Sequence, residues 1–240
     1  MGLFTRKKEK KKANNLLLDK DMPFAVQEAY KLLRTNIMFS IAEEKCKTIV
    51  ITSSVQGEGK SVTSINLAYA LAKNNMRVLL IDCDLRLPTI AQKMNLRVKP
   101  GLTNYLYSGV EAKSIIQKVD DGLYVIPAGD TPPNPSESLG SNGMKSLLEA
   151  VENVFDYIIL DTPPVCTVTD ASILAKKASG VVLVVRQGVA TFESVDSALT
   201  QLRMSGANVL GTVITGTTTD KKAYKKYGYG YERSNAKRSR

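Results

Sequence analysis

Histidine is absent from this chain of 240 residues, and only 6% of its residues are aromatic. Without an imidazole, the chain cannot form a His-based catalytic triad or a His-ligated zinc enzyme site. Its three cysteines, Cys46, Cys83 and Cys166, form no C-x-x-C pair, so they cannot supply a four-cysteine metal site. An odd, scattered set of cysteines is typical of a reducing compartment, and we therefore expect a cytoplasmic protein.

Long apolar runs are also missing. The longest purely aliphatic run, Val181–Val185, is far shorter than the roughly 20 residues of a membrane-spanning helix. Hydrophobic residues nevertheless make up 43% of the chain, which is enough for the core of one large domain.

The net charge of +10 lies at the two ends of the chain. Residues 1–12 carry a net +5 and residues 221–240 a net +7, so the remainder carries −2. A duplex-DNA reader usually places its basic face on the folded domain, so we expect no specific nucleic-acid partner. Basic arms of this kind are either attracted to anionic surfaces or simply solvated, and charge alone favours neither interpretation.

Short apolar runs alternate with helical patterns along the middle of the chain. This alternation predicts an α/β fold with a mostly parallel sheet and helices on both faces. We predict a basic flexible arm over 1–20, one domain over 21–216 and a flexible, tyrosine-rich basic tail over 217–240. The predicted strands are 48–52, 78–81, 123–126, 157–160, 181–185 and 209–214. Predicted helices cover about 24–42, 142–154, 169–177 and 192–205, and a further helix follows the glycine-rich turn, with apolar residues at 65, 67, 68, 71 and 72.

A glycine-rich segment follows the first predicted strand. Residues 54–61 match the last three positions of the phosphate-binding pattern G-x-x-x-x-G-K-[ST], with Ser54 at the first position. Lys60 is expected to contact the β and γ phosphates and Ser61 to ligate Mg²⁺. The pattern predicts a P-loop NTPase fold with a nucleotide bound by Gln56, Gly57, Glu58, Gly59, Lys60, Ser61 and Val62.

Acidic residues follow two further predicted strands. Asp82 and Asp84 come after the second strand, and Asp161 follows the fourth. The carboxyl ends of parallel strands form the crevice where α/β sheets bind ligands. Two carboxylates beside bound phosphate require a cation that offsets their repulsion, and Asp161 fits the Walker-B acid that holds Mg²⁺.

The C-terminal segment contains four tyrosines within eight residues. Tyr224, Tyr227, Tyr229 and Tyr231 are interspersed with lysine and glycine, a composition that does not form an apolar core. They are either phosphoacceptors, each phosphate adding about −1.5 to −2 charge, or a low-complexity or base-stacking segment. Composition alone favours neither.

Three of these motifs together resemble those of the bacterial tyrosine kinases. Residues 54–61 resemble the family's Walker A motif, Asp82-x-Asp84-x-Arg86 its Walker A′ motif and residues 158–164 its Walker B motif. Residues 131–137 and the tyrosine cluster are also similar to the family, and the resemblance extends over about 24–231. It is most specific to the stand-alone cytoplasmic form found in Gram-positive capsular and exopolysaccharide operons.

The resemblance implies an ATP- and Mg²⁺-dependent protein-tyrosine autokinase that phosphorylates its C-terminal tyrosine cluster and regulates polysaccharide biosynthesis and export. It assigns catalytic roles to Lys60, Asp82 and Asp84, with Asp82 orienting or deprotonating the attacking tyrosine. It assigns the metal to Ser61, Asp84 and Asp161.

The resemblance also implies partners. Glu28, Lys31 and Arg34 occupy the positions of a helix pattern used in ring assembly, where one subunit's tail reaches its neighbour's active site. The implied partners are a membrane polysaccharide co-polymerase, which activates the kinase at the inner face of the plasma membrane, and a cognate tyrosine phosphatase. The chain departs from the family pattern at Gln56, where proline is common, at Lys31, where arginine is usual, and at Thr215-Gly216, where relatives carry an adenine-contacting asparagine.

Two other classes remain as alternatives. A partitioning or MinD-like ATPase would switch oligomeric state on a membrane or on DNA, but that class usually carries a second lysine early in its P-loop, where this chain has Ser54 and Val55. The second alternative is a basic-tailed adaptor or nucleic-acid binder with a vestigial nucleotide site. Against it stands an intact set of site residues: Lys60, Ser61, Asp82, Asp84 and Asp161.

Overall fold

A seven-stranded sheet forms the centre of the computed structural model, which describes residues 22–41 and 46–217. The strand order is β3-β4-β2-β5-β1-β6-β7, and every neighbouring pair is parallel except β3 and β4. The strands are β1 (Lys47–Ser53), β2 (Val78–Asp82), β3 (Gln117–Asp120), β4 (Leu123–Ile126), β5 (Tyr157–Asp161), β6 (Gly180–Arg186) and β7 (Val209–Thr215).

Helices cover both faces of this sheet. Within the described ranges they are α1 (Phe24–Ser40), α2 (Lys60–Ala72), α3 (Ile90–Lys93), α4 (Leu102–Ser108), α5 (Ala112–Ile115), α6 (Pro135–Gly140), α7 (Asn142–Glu152), α8 (Asp170–Ala175) and α9 (Phe192–Met204). In these same ranges no helix is both long and apolar enough to cross a bilayer.

The core consists of two apolar clusters, one on each face of the sheet. Alternating residues of β1 point to opposite faces, because side chains in a strand repeat every two residues. Val50 packs among residues of α4 to α9, whereas Ile49 and Ile51 pack against α1, α2 and α3. The two buried faces account for the continuous apolar runs seen in the sequence, and they confirm the predicted parallel α/β architecture.

The predicted strands all form, and each of their ends agrees with the prediction or differs from it by one residue. The antiparallel edge strand β3 and the short helices α3 to α6 were not predicted. The predicted flexible arm at 1–20 and nearly all of the tail at 217–240 lie outside the described residues, so the domain bounds remain predictions.

Candidate active site

The phosphate-binding segment lies between β1 and α2, at the carboxyl edge of the sheet. Strand β1 ends at Ser53 and helix α2 begins at Lys60. Gly57 and Gly59 have φ angles of +86° and +94°, which residues with a side chain rarely adopt. The loop therefore brings backbone N–H groups and the positive end of the α2 dipole to one place, which is the arrangement that binds phosphate.

Lys60 is paired with Asp84 in this arrangement. The distance from Lys60 Nζ to Asp84 Oδ2 is 2.7 Å, and both side chains are almost completely buried. Burial lowers the pKa of Lys60, but the charges of Asp161 and Asp84 outweigh that effect and raise the pKa overall. Lys60 thus keeps its positive charge next to the phosphate-binding loop.

Asp161 has one carboxylate oxygen without a partner. Its Oδ1 accepts a hydrogen bond from Ser64 Oγ at 2.8 Å, whereas its buried Oδ2 has no hydrogen-bond partner among the described residues. Burial raises the pKa of Asp161, an effect that Lys60 and the hydroxyls of Ser61 and Ser64 partly offset. A buried, unpaired carboxylate oxygen is unfavourable unless a cation or proton binds it.

Asp82 lies directly beside Asp161, because the two residues are in register at the ends of β2 and β5. Its Oδ1 accepts from the Asp84 N–H at 3.2 Å and its Oδ2 from the Ile90 N–H at 3.0 Å. Burial, followed by the charge of Asp161, raises the pKa of Asp82 to about 8. Asp82 therefore lies behind Asp84, with both oxygens engaged by backbone amides.

A cavity of about 380 Å³ opens beside these groups. Most of the predicted ATP-binding and catalytic residues line it, including Lys60, Ser61 and Asp84. Asp82 and Asp161 lie beneath its wall, and the Glu58 side chain is fully buried and faces away from it. Arg86, Pro163 and Pro164, which belong to the Walker A′ and B motifs but were assigned no individual role, also line it. The lining residues that the sequence motifs do not include are Leu87, Thr89, Lys93, Thr167 and Val168.

Arg86 is held in the cavity wall by a buried carboxylate. Its Nε donates to Asp170 Oδ2 at 3.3 Å and its Nη2 to Ser136 Oγ at 3.1 Å. Asp170, the first residue of α8, is fully buried, whereas 39% of the Arg86 side chain is exposed. This contact connects the proline-rich segment 131–137 to the site, and it escapes sequence patterns because Arg86 and Asp170 are 84 residues apart.

The predicted ring-assembly residues lie elsewhere, on α1. Glu28 and Lys31 form an exposed ion pair with an Nζ to Oε1 distance of 2.7 Å. Arg34 Nη1 donates to the Ala70 carbonyl of α2 at 3.2 Å, so Arg34 also connects two helices of one subunit. The predicted phosphoacceptors Tyr224, Tyr227, Tyr229 and Tyr231 lie outside the described residues.

The residues present fit a magnesium–nucleotide ligand. The free Oδ2 of Asp161 and the nearby Ser61 hydroxyl supply the hard oxygen ligands that Mg²⁺ prefers. Lys60 and the loop amides supply donors for phosphate oxygens.

Comparisons with known proteins agree with this geometry. A sequence profile of the AAA domain family matches residues 46–204. The chain is 39% identical to "Tyrosine-protein kinase CpsD" of Streptococcus agalactiae, over 85% of this chain and 90% of that protein. It is 38% identical to "Tyrosine-protein kinase YwqD" of Bacillus subtilis (strain 168), over 84% of this chain and 85% of that protein.

Solved structures show the same fold. The crystal structure of the chimerical protein CapA2B2 superposes with a TM-score of 0.76 at 34% identity, over 81% of this chain and 85% of that chain. The MinD protein of Pyrococcus horikoshii, solved with Mg-ADP, is 19% identical with a TM-score of 0.62, over 75% of this chain and 76% of that chain. That likeness shows the P-loop fold alone. The motifs, the sheet and the extent of these matches together place the chain in the bacterial tyrosine kinase family.

Proposed function

We propose that this tyrosine kinase transfers the γ-phosphoryl group of ATP to tyrosines of its own C-terminal cluster: Tyr224, Tyr227, Tyr229 and Tyr231. The observation that carries the proposal is the pairing of Lys60 and Asp84 in one cavity beside a phosphate-binding loop, with a buried Asp161 oxygen nearby that has no hydrogen-bond partner among the described residues. Four phenols crowded into a lysine- and glycine-rich segment are suitable acceptors.

Each residue has a definite task in this proposal. Lys60 and the amides of residues 56–62 hold the phosphates, and Ser61, Asp84 and Asp161 hold Mg²⁺. Bound Mg²⁺ supplies positive charge that stabilises the transferring phosphoryl group. Asp84 now engages the Lys60 ammonium group, so binding of Mg²⁺ to Asp84 would leave that group free to contact phosphate.

Asp82 is the proposed group that orients or deprotonates the attacking phenol. Its two oxygens each accept one backbone N–H, from Asp84 and Ile90, so each keeps a further lone pair that could accept from the tyrosine hydroxyl. Because a phenol has a pKa near 10, positioning and electrostatic stabilisation carry most of the rate enhancement.

The wider setting of the reaction is also proposed. We infer a homo-oligomer built through Glu28, Lys31 and Arg34 of α1, in which one subunit's tail enters the neighbour's cavity. The kinase works in the cytoplasm, at the inner face of the plasma membrane, where the cytoplasmic segment of a membrane polysaccharide co-polymerase activates it. Phosphorylation there regulates capsular or extracellular polysaccharide synthesis and export, and a tyrosine phosphatase reverses it.

The test is an autophosphorylation assay on the full chain. The purified protein is incubated with ATP, Mg²⁺ and the co-polymerase segment and then probed with an anti-phosphotyrosine antibody. We expect a signal that is lost in Lys60→Met and in a variant with all four tail tyrosines changed to Phe. Lys145→Met, on the exposed surface of α7, is the matched control and should keep the signal.

The same assay separates the alternatives. ATP hydrolysis without phosphotyrosine would favour an ATPase of the MinD type, which shares this fold. Neither phosphotyrosine nor hydrolysis would favour an adaptor with a vestigial site.

A further inference from the structure

Glu58 poses an electrostatic problem. It belongs to the loop that we propose binds a triphosphate, yet its side chain is a fully buried carboxylate. A negative charge at that position opposes a polyanion by Coulomb repulsion, and burying it is unfavourable unless it is well hydrogen-bonded. A neutral side chain of the same size would avoid both costs, so the carboxylate requires another explanation.

The explanation lies in three hydrogen bonds that the Glu58 carboxylate accepts. Its Oε2 accepts from Ser54 Oγ at 2.9 Å and from the Val55 N–H at 2.8 Å, both at the start of the loop. Its Oε1 accepts from the Arg186 N–H at 3.1 Å, at the carboxyl end of β6. The side chain thus joins the two ends of the loop to each other and to the neighbouring strand.

Two further bonds hold the same loop from outside. Arg186 Nη1 donates to the Gly57 carbonyl at 3.2 Å, and Thr215 Oγ1, at the end of β7, donates to the Glu58 carbonyl at 2.7 Å. A Cβ added to Gly57 would have no atom within 4 Å, so one side of the loop is open at the cavity. The side of the loop that faces the sheet is therefore hydrogen-bonded to β6 and β7, whereas the side that lines the cavity is open.

We propose that Glu58 is the positioning residue of the phosphate-binding loop. Its buried carboxylate fixes the path of residues 54–59, so that the loop amides are already aimed before nucleotide arrives. A preformed loop binds nucleotide more tightly, because no free energy is spent on ordering the loop when the nucleotide binds. The inference rests on the nucleotide site proposed above and adds a residue that acts through the loop without touching the ligand.

The charge of Glu58 and its proposed positioning role predict opposite changes in nucleotide affinity for Glu58→Gln. If Glu58 acted only through its charge, its removal would tighten nucleotide binding, because one repulsion disappears. If Glu58 positions the loop, binding weakens. The Gln amide can still accept through one oxygen, but its NH₂ group cannot accept from the remaining backbone N–H.

The experiment compares ADP binding by the full chain and its variants in Mg²⁺, by titration calorimetry. We expect Glu58→Gln to raise the ADP Kd about tenfold or more, the effect of losing a hydrogen bond to a charged group. The KM for the acceptor should stay close to that of the parent chain, and the variant should remain folded at the assay temperature, with a melting temperature lower by a few degrees because a buried N–H loses its acceptor. Glu149→Gln, an exposed carboxylate on α7, is the matched control and should leave the Kd unchanged.

A second variant tests the same proposal in case Glu58→Gln does not fold. Thr215→Val is nearly isosteric and removes only the bond to the Glu58 carbonyl, so we expect a smaller rise of about two- to fivefold in the Kd. Thr212→Val, at an exposed position of the same strand, is its control. An unchanged or lower Kd in Glu58→Gln, with an unchanged Kd in Thr215→Val, would overturn the proposal.

Hydrogen exchange of the nucleotide-free chain separates this inference from the proposed function. In Glu58→Gln, the amides of residues 55–59 should exchange about tenfold faster, because the loop opens more often. If the parent chain fails to bind ADP, the proposed function fails, and the exchange rates still decide whether Glu58 holds the loop. Equal exchange rates in parent and variant would exclude the positioning role.

Discussion

Asp82 and Asp161 lie side by side at the ends of β2 and β5, in the interior of the protein. Neither side chain is exposed to solvent, and the pKa of each is raised, first by burial. Such a pair is unfavourable for folding when both groups are ionised, since like charges repel strongly away from water. This pair of carboxylates lies where a bound divalent cation would offset their repulsion.

A pH dependence of stability follows for Asp82 in the metal-free chain. Its pKa is about 8 when folded and near the ordinary value of 3.8 when unfolded. Between these values the folded state holds a proton that the unfolded state has lost, so stability falls as pH rises from about 4 to 8. The slope is at most about 1.4 kcal/mol per pH unit for one such group.

The measurement is urea unfolding in EDTA at several pH values. Asp82→Asn, which cannot ionise, should lose less stability than the parent chain across this window. A mutation that leaves the pH profile unchanged would show that Asp82 is not the group with the raised pKa. Asp121→Asn is the control, because Asp121 is almost fully exposed and should leave the profile as it is.

The sequence predicts residues of the site that share a local pattern and misses those that meet only in the fold. Gly57, Gly59 and Lys60 are recognisable because a strand–loop–helix unit fixes their spacing. The contacts of Glu58 with Arg186 and Thr215 join residues 128 and 157 positions apart, and no local pattern encodes them. The buried side chain of Glu58 was predicted only as part of a nucleotide-binding loop.

At the scale of elements, α7 begins at a side-chain cap. Its N-cap Ser141 accepts a hydrogen bond from the Met144 N–H at 3.2 Å, which satisfies one of the free donors of the first turn. The same hydroxyl donates to the Ser138 carbonyl at 2.8 Å, so one side chain ends α6 and begins α7.

Two substitutions at Ser141 distinguish the contributions of these two hydrogen bonds to stability. Ser141→Ala loses both and should lower the free energy of unfolding by about 1 kcal/mol. Ser141→Asp keeps a cap acceptor and adds a favourable charge at the helix start, so it should recover most of that loss. Denaturant midpoints measure both, and equal losses in the two variants would mean that the bond to Ser138 carries the stability.

The elements that sequence patterns miss are short or polar. Strand β3 contains Gln117, Lys118 and Asp120 and lies at the edge of the sheet, where it has a neighbouring strand on one side only. It has no apolar alternation to reveal it, and pairing with β4 alone selects its conformation. Helices of four to seven residues, such as α3 and α4, are likewise too short to show a helical period.

At the scale of the whole molecule, the net positive charge lies at the two ends of the sequence. The tail at 221–240 carries a net +7, whereas the remainder between the two arms carries −2. Each phosphotyrosine adds about −1.5 to −2, so four phosphates cancel the positive charge of the tail. Attraction between a basic tail and a neighbouring subunit should therefore disappear on full phosphorylation.

We accordingly expect phosphorylation to weaken subunit association. Light scattering of the full chain, before and after incubation with ATP and Mg²⁺, should show a lower mass after phosphorylation. The variant with four tail phenylalanines, treated in the same way, should keep its mass. Equal masses for the phosphorylated and unphosphorylated parent chain would contradict the expectation.

The contact between Lys60 and Asp84 has a consequence for how the site fills. A carboxylate that neutralises a lysine is less available to a divalent cation, and that lysine is less available to phosphate. Binding of Mg²⁺ to Asp84 therefore frees Lys60 for phosphate, and binding of phosphate to Lys60 frees Asp84 for Mg²⁺. Nucleotide and cation should enter this kinase as mutually reinforcing ligands, each tightening the affinity for the other by the same factor.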